Sequence, residues 1–321
     1  MTVLQRGWAR ALALLALGLV CCAPAPKTAL VVGTVPWVGL EPLFLAREKG
    51  LFPGPIHLTE YMNSEHELRA FQNGVTHAMA VSLEEVLQRD PLGQQTQVVL
   101  VLDSSHGADC VVAQPGVKTL ADLRGQRVAS EDVMLSTYLL HRALEQVGLD
   151  LKAVERVFLA PEQFAAAFER REVAAVAAYE PFCQRLVAAG GHLLFDSAKI
   201  PGEIVDVLTV RKSVLQTNPE QVDALLRGWF AALTLMRAHP AESARLMGRR
   251  VRLDEGQFLE ALKGVHYLGA EEQARMLDGE RPRLQEAIER LGAVMRQRGA
   301  LTKNPDASRL IDTQPLHRVT R

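Results

Sequence analysis

The sequence predicts an α/β protein made of two lobes that two connecting strands join. Short apolar runs alternate with amphipathic segments from residue 30 to residue 102, and the same alternation restarts after residue 112. Such alternation with short connections is typical of a largely parallel sheet covered by helices. From Asn218 onward the chain has only helical periodicity, which predicts a run of C-terminal helices.

The first unit alternates strands with helices. Its predicted strands are Leu30–Thr34, Ile56–Tyr61, Ala78–Val81 and Val98–Leu102. Its predicted helices are Leu43–Lys49, a segment from Ser64 to Gly74, and Leu83–Arg89. We interpret Ser64 as the N-cap of the second helix, with Glu67 completing a capping box, and Ser82 as the N-cap of the third.

The stretch from Val98 to Gln114 is the centre of the predicted architecture. Two apolar runs, Val98–Leu102 and Cys110–Ala113, flank the polar segment Asp103–Asp109, which contains a glycine. A polar break between buried strands is typical of the carboxyl ends of a sheet, where α/β proteins bind ligands. The alternative is a surface turn in which Asp and Ser side chains bond their own backbone.

The second unit repeats the pattern and leads into a return strand. Its predicted strands end near Ser130, Leu159, Tyr179 and Phe195, and the return strand is Ile204–Val210. Its predicted helices open at Ser130, Phe164 and Phe182. Two lobes that are joined by two crossings can hinge over a cleft, so a ligand would be expected between them.

The C-terminal part is predicted to be helical, and its last residues have no predicted element. The predicted helices cover roughly 219–237, 240–249, 254–264, 270–277 and 282–298, and Arg309–Arg321 follows them. We therefore divide the chain into a leader (1–22), a tether (23–29), a first lobe (30–108 and 209–321) and a second lobe (109–208).

The first 22 residues have the pattern of a secretory leader. Arg6 and Arg10 precede the apolar run Ala11–Val20, which is about half the ~20 residues that a membrane span needs. The run ends at Cys21 and Cys22, and Leu19-Val20-Cys21-Cys22 resembles a lipoprotein processing site. We expect lipidation at Cys22, or at Cys21, and stable anchoring of the exported protein to the membrane. The alternative is an ordinary cleaved leader.

Composition bounds the remaining functions. A chain of 321 residues with 48% hydrophobic residues can bury a large core. Removal of the leader takes away two arginines and leaves 34 basic and 37 acidic side chains, a net charge of −3. This balance does not indicate a nucleic-acid surface. The sequence has no clustered Cys or His pattern, so we predict neither a metal nor a cofactor.

The two remaining cysteines, Cys110 and Cys183, both lie in apolar contexts. We expect buried free thiols, because free cysteine is among the most buried residue types. Pairing in an oxidising compartment is the alternative.

Several stretches, taken in this order behind the leader, resemble a known protein family. They are Pro42–Phe52, Ala70–Val75, Asp103–Asp109, Leu120–Ala129, Ala167–Ala175 with Glu180-Pro181, and Phe195–Leu208. The mature chain resembles the periplasmic substrate-binding proteins of ABC importers, of the nitrate, taurine and thiamine-precursor type. The resemblance implies a periplasmic-binding-protein type II fold and delivery of a small-molecule solute to a permease, without enzymatic activity. We expect a monomer.

Ligand contacts are predicted where strands end and helices begin, since these face the cleft in such a topology. The candidates are Trp37, Glu41, Asn63, Ser82, Asp103, Ser104, Ser105, Asp109, Ser130, Glu131, Tyr179, Glu180 and Asp206. Several have structural alternatives: Ser82 as a plain cap, Trp37 as a core residue, and Asp206 as the partner of a buried base.

The charge of these candidates favours a nitrogenous ligand. Six of them are acidic and none is Lys or Arg. Carboxylates accept N–H bonds, and an aromatic ring can stack on a cation. We therefore expect a neutral or cationic compound such as a pyrimidine or a thiamine-precursor amine. The alternatives are a nitrate- or sulfonate-binding (taurine-like) protein and a pyrimidine-synthase-like enzyme of the same fold, although the cysteine-rich motif of such enzymes is absent here.

Overall fold

The structure, a computed structural model, describes residues 29–320. The leader, the lipidation site at Cys21 or Cys22 and nearly all of the tether lie outside the described residues. Within them the predicted two-lobed α/β fold is confirmed: the strands form one six-stranded and one five-stranded sheet, and helices follow toward the C-terminus. No helix in this range is both long and apolar enough to cross a bilayer.

The first lobe begins as the sequence predicts. Its strands are β1 (Leu30–Thr34), β2 (Ile56–Glu60), β3 (Ala78–Ser82) and β4 (Thr96–Ser105). Its helices are α1 (Glu41–Glu48), α2 (Ser64–Gln72) and α3 (Leu83–Arg89). β1 pairs in parallel with both β2 and β3, as expected of strands that helices connect.

Two predicted caps differ from the structure. Asn63, not Ser64, caps α2, because its side chain accepts a hydrogen bond from the His66 amide at 3.0 Å. Glu67 completes no capping box, because its carboxyl group is fully buried behind β1. The Ser82 hydroxyl precedes α3 but donates to the carboxylates of Glu84 and Glu85 rather than capping the helix backbone.

The second lobe holds the smaller sheet. Its strands are β5 (Asp109–Ala113), β6 (Arg127–Ser130), β7 (Glu155–Phe158), β8 (Ala175–Tyr179) and β9 (His192–Asp196). Its helices are α4 (Met134–Glu145), α5 (Phe164–Glu169) and α6 (Phe182–Ala188). The strand order is β7-β6-β8-β5-β9, with β5 antiparallel to both of its neighbours.

The return strand, β10 (Val205–Arg211), rejoins the first sheet between β3 and β4 and runs antiparallel to both. With β11 (Val265–Tyr267) the order of this sheet is β11-β4-β10-β3-β1-β2. The predicted lobe boundary at residue 208 lies inside β10, which pairs with the first sheet from Val205 onward. The exact division of the chain remains a prediction.

The C-terminal helices cover the first lobe. They are α7 (Lys212–Thr217), α8 (Pro219–Ala238), α9 (Pro240–Val251), α10 (Glu255–Leu262), α11 (Ala270–Leu277), α12 (Arg283–Gln297), α13 (Ala307–Leu310) and α14 (Gln314–Thr320). The tail, which had no predicted element, is held against the first lobe by long-range contacts. Ile311 bridges to Val98 of β4, and Arg318 forms an ion pair with Asp223 of α8 at 2.9 Å.

Cys110 and Cys183 form a disulfide, so the expectation of free thiols is wrong. The bond joins β5 to the first turn of α6 inside the second lobe. Both residues are buried, as predicted, but burial does not distinguish a thiol from a disulfide. The two positions are 73 residues apart in sequence, so only the fold brings them together.

Candidate functional site

A cleft of about 870 Å³ lies between the two lobes. Its first-lobe wall comes from the segments after β1, β2 and β3, from β10, and from the end of α9. Its second-lobe wall comes from the start of β5, the first turn of α4 and the segments after β7 and β8. Strand ends and helix starts therefore converge on the cleft from both lobes, as the topology of such sheets predicts.

An aromatic pair spans the cleft from one lobe to the other. The rings of Trp37, after β1, and Tyr179, at the end of β8, meet edge to face with centroids 5.9 Å apart. Phe182 of α6 continues the cluster, with its ring centroid 5.4 Å from that of Tyr179. The Tyr179 hydroxyl points to the Glu131 carboxylate at 3.4 Å. Edge and face contacts of this kind provide a wall on which a planar or cationic group can pack.

A row of polar side chains crosses the first sheet under the cleft. The strand register places Tyr267 of β11 opposite Asp103 of β4, Asp103 opposite Asp206 of β10, and Asp206 opposite Ser82 of β3. Opposed residues on neighbouring strands point to the same face of a sheet. The row ends in the cleft, because Asp206 and Ser82 line it.

Burial shifts the protonation of the carboxyl groups around this row. Burial raises the pKa of Asp103 to about 7, that of Asp109 to about 6 and that of Glu84 to about 8. Burial also raises the pKa of Asp206 well above its ordinary value, and the nearby Asp103 carboxyl adds to the effect. The cleft floor therefore offers carboxyl groups that can hold protons near neutral pH and donate hydrogen bonds.

Three arginines line the cleft that the sequence interpretation did not include: Arg185, Arg250 and Arg252. Arg250 binds Glu41 at 3.0 Å and Glu60 at 2.5 Å, and its guanidinium lies 3.5 Å from the Phe44 ring centroid. Arg250 and Arg252 lie at the end of α9, some 200 residues from β1. In the sequence, charged residues at the end of a helix indicate a solvent-exposed surface, so neither was predicted to reach the cleft. The prediction that no basic side chain contributes to the cleft was therefore wrong.

Seven of the predicted contact residues line the cleft: Trp37, Asn63, Ser82, Asp109, Glu131, Tyr179 and Asp206. Their individual ligand contacts remain predictions.

The cleft also exposes apolar groups that the sequence interpretation missed. Met62 and Phe158 lie on opposite lobes and are 86% and 47% exposed. Both side chains were detectable in principle, since Met62 directly follows a predicted strand and Phe158 lies next to the last residue of another.

The other six predicted residues lie outside the cleft: Glu41, Asp103, Ser104, Ser105, Ser130 and Glu180. Glu41 is held by Arg250, although burial still raises its pKa to about 8. Asp103 lies behind Asp206, and Ser104 and Ser105 bond to the second crossing. Ser130 is buried at the end of β6. Burial raises the pKa of Glu180 to about 7, and this carboxylate accepts from the Gln184 amide at 3.4 Å.

The two crossings between the lobes are bonded to each other. The Ser197 hydroxyl lies 2.7 Å from the Ser105 hydroxyl and accepts from the Gly107 amide at 2.7 Å. The Ser105 amide donates to the Ile204 carbonyl at 3.1 Å. In the described part of the chain, no group of three or more His, Cys, Asp or Glu side chains is arranged to hold a metal ion.

The sequence is similar to those of characterised proteins. The Escherichia coli K12 taurine-binding periplasmic protein is 27% identical over 230 residues, which are 66% of this chain and 72% of that protein. The first curated relatives are matched over 48% and 57% of their length, so the chain spans about half of them.

Solved structures share the fold. The periplasmic aliphatic sulphonate binding protein SsuA from Escherichia coli superimposes with a TM-score of 0.74 at 20% identity, covering 89% of this chain and 97% of that one. The desulfurization enzyme DSZB gives 0.66 at 16% identity, covering 90% and 98%, so the fold alone does not separate a binding protein from an enzyme. Residues 23–249 match the profile of the NMT1-like family, and the chain belongs to that family.

Proposed function

We propose that this protein is the solute-binding component of an ABC importer. The observation that carries the proposal is the cleft of about 870 Å³ between two lobes that two bonded crossings connect. A ligand that contacts both walls binds the closed arrangement better than the open one, and so shifts the equilibrium toward closure. A permease can then distinguish loaded from empty protein by shape. The taurine-binding relative supports this class of function.

For the ligand, an organic sulfonate is the candidate that the relatives favour. The sequence interpretation held this class as its alternative, and the comparisons support it better than the thiamine-precursor amine. The charge argument against an anion also weakens. Arg185, Arg250 and Arg252 line the cleft, and buried carboxyl groups that keep their protons can donate to a sulfonate oxygen.

A nitrogenous compound is the second candidate, and one observation favours it. Asp109, Glu131 and Asp206 line the cleft, and none of them forms an ion pair with a basic side chain within residues 29–320. A positively charged nitrogen would supply the missing partner. Trp37 and Tyr179 would then pack against a ring or an ammonium group.

Export and membrane anchoring complete the proposal. The leader with Cys21 and Cys22 supports a lipid-anchored monomer outside the cytoplasm, next to its permease. The periplasmic location in the name of the relative agrees with this.

Three compounds with one carbon skeleton separate the candidates: taurine, ethanesulfonate and ethylamine. Calorimetric titration of the mature protein measures the binding of each compound. Thermal shift checks the result independently, because a bound ligand raises the apparent stability of the protein by mass action. Binding of ethanesulfonate and taurine supports the sulfonate, and binding of ethylamine alone supports the amine. An aminopyrimidine extends the nitrogenous arm.

The enzyme alternative has its own readout in the same samples. A binding protein returns each compound unchanged after prolonged incubation, whereas an enzyme converts it. Mass spectrometry of the recovered compound, with heat-denatured protein as the control, distinguishes the two. Turnover of any bound compound would replace the importer proposal by an enzymatic one.

A further inference from the structure

Asp103 and Asp206 face each other across two neighbouring strands of the first sheet. The register of β4 and β10 pairs them directly, so their side chains point to the same face of the sheet. Asp103 is fully buried, and Asp206 is 8% exposed at the cleft floor. Two ionised carboxylates so placed would repel each other, and neither would offer the proton that a hydrogen bond between them needs.

Among the described residues, no positive charge faces this pair. The polar and titratable groups that face it are Ser82 of β3, Glu84 of α3, Asp109 of β5, Tyr267 of β11 and Trp37 after β1. Within residues 29–320, neither aspartate forms an ion pair with Lys, Arg or His. The Tyr267 hydroxyl is already used, since it donates to the Val38 carbonyl at 2.9 Å.

Close packing holds Asp103 in place. A Cβ atom at Gly39 would lie 2.3 Å from Asp103 Oδ2 and 2.2 Å from Trp37 Nε1, so both groups pack over that glycine. Among the described residues neither Asp103 oxygen accepts a well-aligned hydrogen bond; the Trp37 indole N–H lies beside Asp103 and lowers its pKa, but it too has no aligned partner. A proton on one of the two carboxyl groups resolves this, because it supplies a donor and removes one charge.

We propose that Asp103 and Asp206 share one proton, and that Asp103 is a positioning residue that sets the charge which Asp206 presents to the cleft. The pair then carries one negative charge instead of two. A positive ligand group would meet that single charge, and an anionic ligand would meet less repulsion. The inference deepens the proposed function and rests on it only in taking Asp206 as a ligand-facing group.

A proton held only in the folded state makes stability depend on pH. An aspartate in an unfolded chain titrates near pH 4, whereas burial raises the pKa of both carboxyl groups in the folded protein. The folded state therefore binds more protons, and the free energy of unfolding falls as the pH rises above that value. Other buried carboxyl groups add to this fall, so the comparison must be made between variants.

The test is urea denaturation of the ligand-free mature protein between about pH 5 and about pH 8. The variants are Asp103→Asn, Asp206→Asn and the double variant. Asp132→Asn is the matched control, since Asp132 lines the same cleft but is exposed. We expect each single variant to take up about one proton fewer on folding than the wild type. The double variant should take up as many protons as the single variants. The control should keep the wild-type slope.

Parallel slopes for the wild type and Asp103→Asn would overturn the proposal. Should the variants fail to fold, carboxyl ¹³C signals of aspartate-labelled wild-type protein decide instead. The proposal expects two aspartate carboxyl groups that titrate together, away from the ordinary range, and it fails when every aspartate titrates independently and normally. Neither measurement uses a ligand. The shared proton would therefore stand even if none of the tested compounds bound, and a failure to find it would leave the binding results unchanged.

Discussion

The hydroxyl groups of Ser105 and Ser197 lie 2.7 Å apart, at the place where the chain crosses from one lobe to the other and back. Ser197 is fully buried and also accepts from the Gly107 amide. One hydroxyl thus joins the two crossings, and any rotation of the lobes must act on segments that are fixed to each other. This contact suits a hinge that moves as one unit.

Replacement of Ser197 by alanine should destabilise the protein by about 1–3 kcal/mol, because it leaves the half-buried Gly107 amide and the buried Ser105 hydroxyl without this partner. Urea denaturation measures the change. Ser308→Ala is the control, since Ser308 is exposed and its hydroxyl donates to the Asp306 carboxylate at 2.7 Å. Equal effects of the two substitutions would show that the Ser197 contact contributes little.

Glu203, on the second crossing, binds groups from both lobes. Its carboxylate accepts from the Tyr138 hydroxyl at 2.5 Å and from Arg142 Nε at 2.8 Å, and Arg290 of α12 lies 3.8 Å away. Glu203→Gln should cost about 1–3 kcal/mol, because Glu203 is buried and its loss removes the charged acceptor of the Tyr138 hydroxyl and of half-buried Arg142, which keeps only its ion pair with Glu145 on the helix surface.

Glu172→Gln is the matched control for Glu203→Gln. Glu172 binds Arg170 at 2.6 Å, but both side chains are largely exposed, so its loss should leave the free energy of unfolding nearly unchanged. Chemical denaturation of both variants provides the comparison. A Glu203 effect as small as that of Glu172 would argue against a buried network at the crossing.

The disulfide should contribute about 2–4 kcal/mol, since it closes a loop of 73 residues in the unfolded chain. Addition of reductant should lower the unfolding temperature of the mature wild-type protein. The Cys110→Ala/Cys183→Ala variant should start at the lower temperature and not respond to reductant. If reductant does not change the unfolding temperature of the wild type and alkylation detects free thiols, the two cysteines are buried thiols, as the sequence predicted.

Gly39 should tolerate no side chain, because a Cβ atom there would collide with Trp37 and Asp103. Gly39→Ala should destabilise the protein by about 1–3 kcal/mol and weaken ligand binding, since it displaces an aromatic cleft residue. Gly116→Ala is the control, because nothing lies within 4 Å of its added Cβ atom. Thermal unfolding and calorimetric titration report the two effects. An unchanged Gly39→Ala protein would show that the Trp37–Asp103 packing is not tight.

Much of the fold could be predicted from local patterns. Strands such as Leu30–Thr34 and helices such as Leu83–Arg89 have the periodicity and bounding residues of their class, and both occur as expected. The tail could not be predicted, because Ile311 and Arg318 are ordered by contacts with Val98 and Asp223 far away in sequence. Tertiary contacts, not local propensity, stabilise such short elements.

The sequence predicted seven of the residues that line the cleft but not how they are arranged. Asp103 and Asp206 were both candidates, yet only the strand register shows that they face each other and that one shields the other from the cleft. Arg250 was missed because its partners, Glu41 and Glu60, lie about 200 residues away. Side chains that enter a site from a distant helix leave no local signal in the sequence.

The most direct test of the central claim is native mass spectrometry of the mature protein purified without denaturation. We predict one small-molecule adduct per chain that is released on unfolding. The adduct should be lost from Trp37→Ala and Asp206→Asn, which alter the cleft, and kept by Asp312→Asn, because Asp312 does not line the cleft and its carboxylate accepts from the Gln314 amide on the tail. An adduct that survives both cleft substitutions, or a protein that binds nothing here and nothing in the titrations, would contradict the account.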